Sequence, residues 1–290
     1  MQWTTRITKI TETKYPLIMG AFSRWSNVDF AAAFSNAGGL GIITALNINI
    51  DEFRNELQRM KVLTKNPFGI NISVFKNSRM REEDYLKYVN IGLDEGVKIF
   101  TTSAYQAPFI GKRVHEEGAY WIQKCPLIRH TLSAEKAGAD GVTLIGMESA
   151  GNKNPYQHTT LVNLTVANKL INIPIIAAGG IGDARGFLGA LAMGAEAVCF
   201  GTAILSTEES PLSVDRKEQW LRTDIMTEDY FKRQYRFLKG GGVPSTAISY
   251  LKGKIIPIKD FLEKIMVDAE EILKSWGFSK NEFNTEATKI

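Results

Sequence analysis

The amino-acid sequence predicts an α/β fold, a (β/α)8 TIM barrel with a C-terminal helical extension. Short apolar segments rich in β-branched residues recur at intervals of about 25 residues, and a segment of helical composition follows each of them. The segments are apolar almost throughout, which is typical of parallel strands covered on both faces. Eight such units favour a closed barrel. A doubly wound open sheet is the alternative, because strand count alone does not establish closure.

Helix boundary signals separate the predicted strands. Residues 27–36 are rich in alanine and end at a pair of glycines, and residues 183–193 begin with an acidic residue and end before Gly194. Both patterns are typical of helices in βα units. The eight predicted strands are residues 15–20, 40–45, 68–74, 97–102, 119–124, 141–146, 173–178 and 196–201.

The pattern changes after the eighth strand. Residues 210–238 are charged and helical in composition, and the glycines at 240–242 end this segment. Residues 260–276 then place apolar side chains on one helical face. Whether the glycine run closes over a site as a lid is left open at this point. We expect one domain over residues 1–290, with a barrel core at about 10–210, a helical extension at 211–279 and a frayed tail at 280–290.

The composition excludes several classes of function. The 35 basic and 31 acidic residues give a net charge of +4 and are spread along the chain, so nucleic-acid binding is not indicated. Cys125 and Cys199 form no CxxC or His/Cys cluster, so neither a disulfide framework nor a metal site is expected. No apolar run approaches the roughly 20 residues that span a bilayer. We expect a cytoplasmic protein that acts on a small molecule; a homo-oligomer is compatible with the sequence.

Glycines follow the last two predicted strands. Gly179 and Gly180 come after the seventh strand, and Gly201 precedes Thr202 after the eighth. A glycine at the end of one strand often serves only to form a turn. Two such turns on adjacent strands, however, lie where barrel enzymes bind phosphate. The sequence therefore predicts a phosphate cradle at this edge of the barrel.

Polar residues end two other strands or lie in the loop after the sixth strand. Asn71 offers a donor and an acceptor, and Lys124 offers either a cation for a bound group or a side chain that reaches solvent. Glu148 is interpreted first as a hydrogen-bond acceptor that fixes the loop. His158 lies in the same loop as a weaker catalytic candidate. Cys125 follows Lys124 and points to the other face, so a thiolate nucleophile is not expected.

Several segments resemble the nitronate monooxygenase family, formerly called 2-nitropropane dioxygenases. The resemblance covers roughly residues 7–210, with the segments in family order and at family spacing, which makes it far more specific than one glycine cluster. The segments are residues 15–20, 31–41, 68–71, 136–142, 174–181, 190–195 and 201–210.

The resemblance implies an FMN-dependent TIM barrel. Lys124 would then lie near the flavin pyrimidine edge, where a cation stabilises the negative charge of the reduced flavin. The FMN phosphate would lie on Gly179, Gly180, Gly201 and Thr202, and the isoalloxazine ring would lie near Gly20, Ala21, Phe22, Asn71 and Lys124, with Gly151 also at the cofactor.

One departure from the family pattern bears directly on the reaction. The family's loop after the sixth strand ends in a histidine that orients the substrate or accepts its proton, whereas this chain has Asn152 after Gly151. Asparagine is no general base near neutral pH, so removal of a proton from a neutral nitroalkane loses its obvious agent. Asn152, and more weakly His158, remain the candidates for substrate contact.

Three functions follow from these observations. The first is oxidation of alkyl nitronates with O2 to a carbonyl compound and nitrite, as the resemblance implies. The second is an NAD(P)H-dependent flavin reductase of the same fold, of the enoyl-thioester or quinone reductase type. The third is a flavin-binding protein that lacks the family's catalytic histidine.

Overall fold

A computed structural model describes residues 1–22, 26–76, 78–151, 153–154, 156, 158–235, 244–245, 247–248, 253–278 and 282–284. The chain starts with strand β1 (Gln2–Thr4) and helix α1 (Arg6–Thr11), after which eight parallel strands follow. Every one of them overlaps a predicted segment. They are β2 (Leu17–Met19), β3 (Gly41–Thr44), β4 (Phe68–Val74), β5 (Ile99–Ala104), β6 (Tyr120–Cys125), β7 (Gly141–Ile145), β8 (Ile175–Ala178) and β9 (Ala197–Phe200).

The eight strands form a barrel. Their hydrogen-bonded order is β2-β9-β8-β7-β6-β5-β4-β3, and all pairs are parallel. The two ends of this series meet at a bridge between Ile18 and Leu40. There the Leu40 N–H donates to the Leu17 carbonyl at 2.9 Å and the Met19 N–H donates to the Leu40 carbonyl at 3.0 Å. The predicted barrel is confirmed, and the open-sheet alternative is wrong because these bonds join the first strand to the last in the series.

Helices cover the outside of the barrel. Asn27 accepts from the Phe30 N–H and Asp183 from the Gly186 N–H, both at 2.8 Å, so the predicted helix starts are real N-caps. A 3-10 turn, Ala45–Asn47, follows β3. The helices between strands are α2 (Val28–Asn36), α3 (Ile50–Leu63), α4 (Glu82–Asp94), α5 (Pro108–His115), α6 (Ile128–Lys136), α7 (Thr160–Ala167) and α8 (Ala184–Ala192), and the short α9 (Thr202–Leu205) follows the last strand.

The described part of the C-terminal extension contains helices joined by loops. It contains α10 (Val214–Leu221), α11 (Glu228–Tyr235) and α12 (Ile258–Ser275). On α12, Phe261 is buried and meets the Phe200 ring of β9 edge to face, with the ring centroids 5.5 Å apart. The predicted amphipathic helix is therefore present, and its apolar face packs on the barrel. The glycines at 240–242 lie outside the described residues.

The tail differs from its prediction. Residues Glu282–Asn284 form strand β10, which pairs in parallel with β1 in a separate two-stranded sheet. Segments of three residues are too short to show a hydrophobic period, and the partner strand lies at the other end of the chain. For this reason the sequence predicts a frayed tail here, whereas the structure has a paired strand.

Candidate functional site

Lys124 points into the barrel. Successive side chains of a strand point to opposite faces, and the Trp121 ring lies against Gly111 of helix α5 on the outside. Lys124, three residues later in β6, therefore faces the interior at the carboxyl end of the strand. Burial raises the pKa of the Cys199 thiol at the end of β9, and the Lys124 ammonium opposes that rise. The cation and the thiol therefore lie close together inside the barrel.

Asn71 forms part of a buried polar cluster on β4 and β5. Its Nδ2 donates to the hydroxyls of Ser73 at 3.2 Å and Ser103 at 3.3 Å. Its Oδ1 accepts from the Thr101 hydroxyl at 3.0 Å. Asn71 is 1% exposed, and Ile70 beside it packs against helix α4. These bonds fix the orientation of the amide, and its Oδ1 keeps a second lone pair for a ligand.

Gly20 brings the ends of β2 and β9 close together. Its N–H donates to the Phe200 carbonyl at 2.8 Å, and a Cβ at this position would lie 2.6 Å from the same oxygen. Only glycine fits such an approach. Ala21 follows at the rim, and the buried Phe22 ring lies between Gly20 and Phe30, with its centroid 6.0 Å from that of Phe30. The predicted flavin-contact residues Gly20, Ala21 and Phe22 therefore share one edge of the barrel mouth.

The two glycine turns lie at the ends of neighbouring strands. Gly179 and Gly180 have φ values of +110° and +74°, which side chains rarely adopt. Gly201 faces open space, since a Cβ there would meet no atom within 4 Å. Thr202 is buried and its hydroxyl accepts from the Ser245 N–H at 3.4 Å. The arrangement is an open cradle of backbone groups next to β8 and β9, which suits the close approach of a phosphate.

Glu148 fixes the loop after β7. Its carboxylate accepts from the Thr160 N–H at 2.9 Å and from the Thr160 hydroxyl at 3.0 Å. The Thr160 hydroxyl also lies 2.9 Å from the Gly179 carbonyl oxygen. A Cβ on Gly180 would lie 3.0 Å from the Cβ of Glu148. The carboxylate therefore holds the start of α7 and supports the glycine turn, in agreement with the structural interpretation of this residue.

Three further predicted residues, Gly151, Asn152 and His158, belong to the same loop. Gly151 is exposed, and Asn152 lies outside the described residues. His158 is exposed and its carbonyl accepts from the Met147 N–H at 2.9 Å. Its ring packs on Tyr156, with the centroids 6.2 Å apart. The structure therefore brings Lys124, Asn71, Gly20 and the glycine turns to one end of the barrel, with the His158 ring on the outer part of the loop.

Two buried polar residues, one in this loop and one on the helix that packs on it, have no counterpart in the sequence predictions. Lys153 is 6% exposed, and its Nζ has no hydrogen-bond partner among the described residues. The ammonium lies 5.3 Å from the centroid of the Tyr235 ring of α11. Burial lowers the pKa of Lys153 to about 8. Beside Tyr235, Gln234 is fully buried; its Nε2 donates to the Glu148 carbonyl at 3.1 Å, and its Oε1 has no partner among the described residues.

Sequence reasoning misses this pair for a physical reason. Lysine in a polar loop ordinarily lies in solvent, whereas Lys153 is buried against α11, whose Tyr235 comes 82 residues later in the chain. The sequence contains one signal of its role: Lys153 directly follows Asn152, which stands at the position of the family's histidine.

Other chemistry is not indicated at this site. Burial raises the pKa of the Cys125 thiol to about 12, so this side chain stays protonated. Among the described residues, no three His, Cys, Asp or Glu side chains come together as metal ligands. Within the same residues, none of the helices combines the length and apolar character needed to cross a membrane.

Comparison with known proteins identifies the family. The family model described as nitronate monooxygenase matches residues 4–230, which is most of the chain. The chain belongs to the nitronate monooxygenase family. This confirms the resemblance drawn from the sequence segments.

Individual relatives carry different activities in their names. The (3aS,4S,5R,7aS)-5-hydroxy-7a-methyl-1-oxo-octahydro-1H-indene-4-carboxyl-CoA dehydrogenase of Mycobacterium tuberculosis is 29% identical over 227 residues, covering 78% of this chain and 62% of the relative. A probable nitronate monooxygenase of Staphylococcus saprophyticus is 26% identical over 252 residues, covering 73% and 71%. This chain thus spans about three fifths of the length of the first curated relatives.

Two solved structures share the architecture along nearly their whole length. FabK from Thermotoga maritima superposes with a TM-score of 0.82 at 27% identity and covers 94% of this chain and 98% of its own. The nitroalkane oxidase of Streptomyces ansochromogenes has a TM-score of 0.76, covers 93% and 99%, and is 19% identical. The second likeness bears on the fold alone.

Proposed function

We propose that the protein is an FMN-dependent oxidoreductase that oxidises alkyl nitronates with O2 to a carbonyl compound and nitrite. The observation that carries the proposal is the pair of glycine turns at β8 and β9 beside the inward-facing Lys124. Membership of the nitronate monooxygenase family supports the same reaction.

The residues present fit FMN. The cradle at Gly179, Gly180 and Gly201 supplies backbone groups for the phosphate, with open space at Gly201 and Thr202 beside it. Gly20, Ala21, Phe22 and Asn71 would line the ring, and Gly151, in the loop after β7, would also contact the cofactor. When bound, FMN supplies the electron exchange between the substrate and O2.

The chain's own side chains then have distinct roles. Lys124 holds a positive charge inside the barrel, where it would stabilise negative charge on the reduced ring. Asn71, fixed by its bonds to Ser73 and Ser103, would present a lone pair to the heterocycle edge. Asn152 and His158 are the proposed substrate contacts; the amide of Asn152 can hydrogen-bond an oxyanion but takes no proton at neutral pH. We therefore expect turnover of preformed nitronates and little activity on neutral nitroalkanes.

A second candidate is an NAD(P)H-dependent reductase of enoyl thioesters or quinones. The observation in its favour is the superposition with FabK, which covers almost all of both chains at 27% identity. The CoA dehydrogenase among the curated relatives also favours a thioester.

One experiment separates the candidates. FMN-loaded protein is mixed without oxygen with NADH, NADPH or propane-2-nitronate in separate shots, and the flavin absorbance is followed. Fast reduction by the nitronate alone, followed by nitrite release in air, is the expected result. Fast reduction by a nicotinamide would replace this proposal with the reductase, and reduction by none of the three would leave a flavin-binding protein.

A further inference from the structure

Lys153 has an unusual environment for a lysine. Its ammonium is buried, and no acceptor among the described residues takes any of its three N–H groups. The Tyr235 ring at 5.3 Å offers a cation–π contact but no lone pair in line with an N–H. A buried ammonium without an acceptor is costly in folding free energy, so its retention points to a ligand.

No carboxylate of the described residues forms an ion pair with Lys153. The carboxylate of Glu148 is near enough to act electrostatically on Lys153, but Lys153 Nζ makes no hydrogen bond to it. The Glu148 oxygens accept instead from the N–H and hydroxyl of Thr160. The charge of Lys153 therefore remains available to an anion.

Lys217 is a buried lysine of this chain with a structural role. Lys217 is 4% exposed, close to the 6% of Lys153. Its Nζ donates to the Glu208 carbonyl at 2.9 Å. The two lysines thus share burial and differ in hydrogen bonding, which makes Lys217 a matched control.

The position of Lys153 connects it with the barrel mouth. It lies in the β7–α7 loop, whose Glu148 supports the turn at Gly180. Gln234 of α11 donates to the Glu148 carbonyl at 3.1 Å and so holds the helix on the loop. The unpartnered Oε1 of Gln234 and Nζ of Lys153 both lie where the loop meets α11.

We propose that the Lys153 ammonium binds an anionic oxygen of the substrate's nitronate group. The proposal rests on the function proposed above and assigns the residue that recognises the charge of the substrate. An alkyl nitronate carries its negative charge on two oxygens, and a compact ammonium in a desolvated site favours it over the neutral nitroalkane. In this chain the cation that follows Asn152 in the sequence thus recognises the substrate in its already deprotonated form.

The test uses an unreactive pair of probes on the FMN-loaded protein. Isobutyrate has the shape and charge of propane-2-nitronate, and isobutyramide has the shape without the charge. Calorimetry gives both dissociation constants. Lys153→Met is expected to weaken isobutyrate binding about tenfold or more and to leave isobutyramide binding unchanged. Lys217→Met is expected to change neither.

A purely structural role for Lys153 makes the opposite prediction for stability. Methionine has a similar shape and removes an unpaired buried charge, so Lys153→Met is expected to melt at or above the temperature of the wild type. A lower melting temperature together with unchanged isobutyrate binding would overturn the proposal.

The pH dependence gives an independent readout. Because the pKa of Lys153 is about 8, isobutyrate affinity is expected to fall as the pH rises through that value. The titratable groups that face Lys153 among the described residues are Glu148 from the loop and Tyr235 from α11. Lys153→Arg keeps its charge at higher pH and is expected to retain isobutyrate binding there.

Failure of the inference and failure of the proposed function are distinguishable. If Lys153→Met oxidises nitronate with the wild-type KM, the inference is overturned while the function stands. If Lys153→Met weakens FMN binding and leaves isobutyrate binding unchanged, the lysine contacts the cofactor and the inference is again overturned. If isobutyrate binding depends on Lys153 but no nitronate is oxidised, the anion site stands and the nitronate reaction is wrong.

Discussion

At the scale of single residues, the glycine turn is open to a direct test. Alanine at Gly180 must adopt a φ of +74° and bring its Cβ to 3.0 Å from that of Glu148. We expect Gly180→Ala to lower the free energy of unfolding by about 1–2 kcal/mol and to weaken FMN binding about tenfold. Urea unfolding and FMN titration measure the two effects.

Gly189 provides the matched control for this substitution. It lies inside α8, and a Cβ there would meet no atom within 4 Å. We expect Gly189→Ala to stabilise the protein by about 0.5–1 kcal/mol and to leave FMN affinity unchanged. Equal FMN affinity in both alanine variants would argue against a cofactor cradle at Gly180.

Lys124 tests the proposed orientation of the flavin. If its ammonium lies beside the ring, Lys124→Met removes a charge that stabilises the reduced, anionic form. The reduction potential of the bound FMN should then fall by roughly 30 mV, equivalent to about 1.4 kcal/mol for two electrons. A potentiometric titration measures it, with Lys217→Met as the control expected to keep the wild-type potential. An unchanged potential in Lys124→Met would remove this residue from the flavin site.

These residues also show what sequence can predict about a site. Lys124 and Asn71 were found because strand ends of a parallel barrel meet at one edge, so position in the chain determines position in space. Lys153 and Gln234 were missed because their burial depends on how α11 packs on the loop. No local pattern encodes that packing.

At the scale of elements, Glu95 joins two neighbouring helices of the barrel wall. It follows α4 and accepts from Lys61, from Arg54 at 2.8 Å and from Gln58 at 3.2 Å, all on α3. The hydrogen bond from Lys61, with that from Arg54, lowers the pKa of Glu95 to about 2. Because the pKa of Glu95 is lower in the folded state, the ionised carboxylate stabilises the fold. This contribution to the free energy of unfolding is complete above pH 4.5, the ordinary pKa, and is lost as the pH falls towards about 2.

We therefore expect the loss of unfolding free energy in Glu95→Gln to depend on pH. The variant should lose roughly 1 kcal/mol of unfolding free energy at pH 7, and the difference from wild type should shrink as the pH falls below 4.5. Urea unfolding at pH 7 and pH 3 measures both values. Asp94→Asn removes a carboxylate that is 60% exposed, so it should cost less at pH 7. A loss of the same size at both pH values would contradict the ionic origin.

The elements differ in how far sequence predicts them. The barrel strands are apolar because both of their faces are covered, and this appears directly in residues such as those of β8 and β9. The seam between Ile18 and Leu40 has no such signal, since a single bridge closes it. Strand β10 also gives no signal, because its partner β1 lies at the opposite end of the chain.

At the scale of the whole molecule, the site and the ion pair between Arg6 and Glu196 lie at opposite ends of the barrel. Glu196 precedes β9, whereas the glycine cradle follows β8 and β9. The buried Glu196 carboxylate accepts from the Arg6 N–H at 2.9 Å and from the Arg6 guanidinium at 2.8 Å. This pair fixes α1 to the amino-terminal end of the barrel.

This separation predicts independent contributions to stability. Glu196→Gln weakens a largely buried pair and should cost about 1–3 kcal/mol in unfolding free energy. FMN at one hundred times its dissociation constant should add about 2.7 kcal/mol through binding to the folded state alone. If the cofactor binds at the carboxyl ends of the strands, the stabilisation by FMN should be the same in Glu196→Gln as in the wild type. Thermal and urea unfolding of both proteins with and without FMN measure it. A smaller FMN effect in the variant would mean that the two ends of the barrel are coupled, because α1 would then influence the cofactor site through the strands it supports.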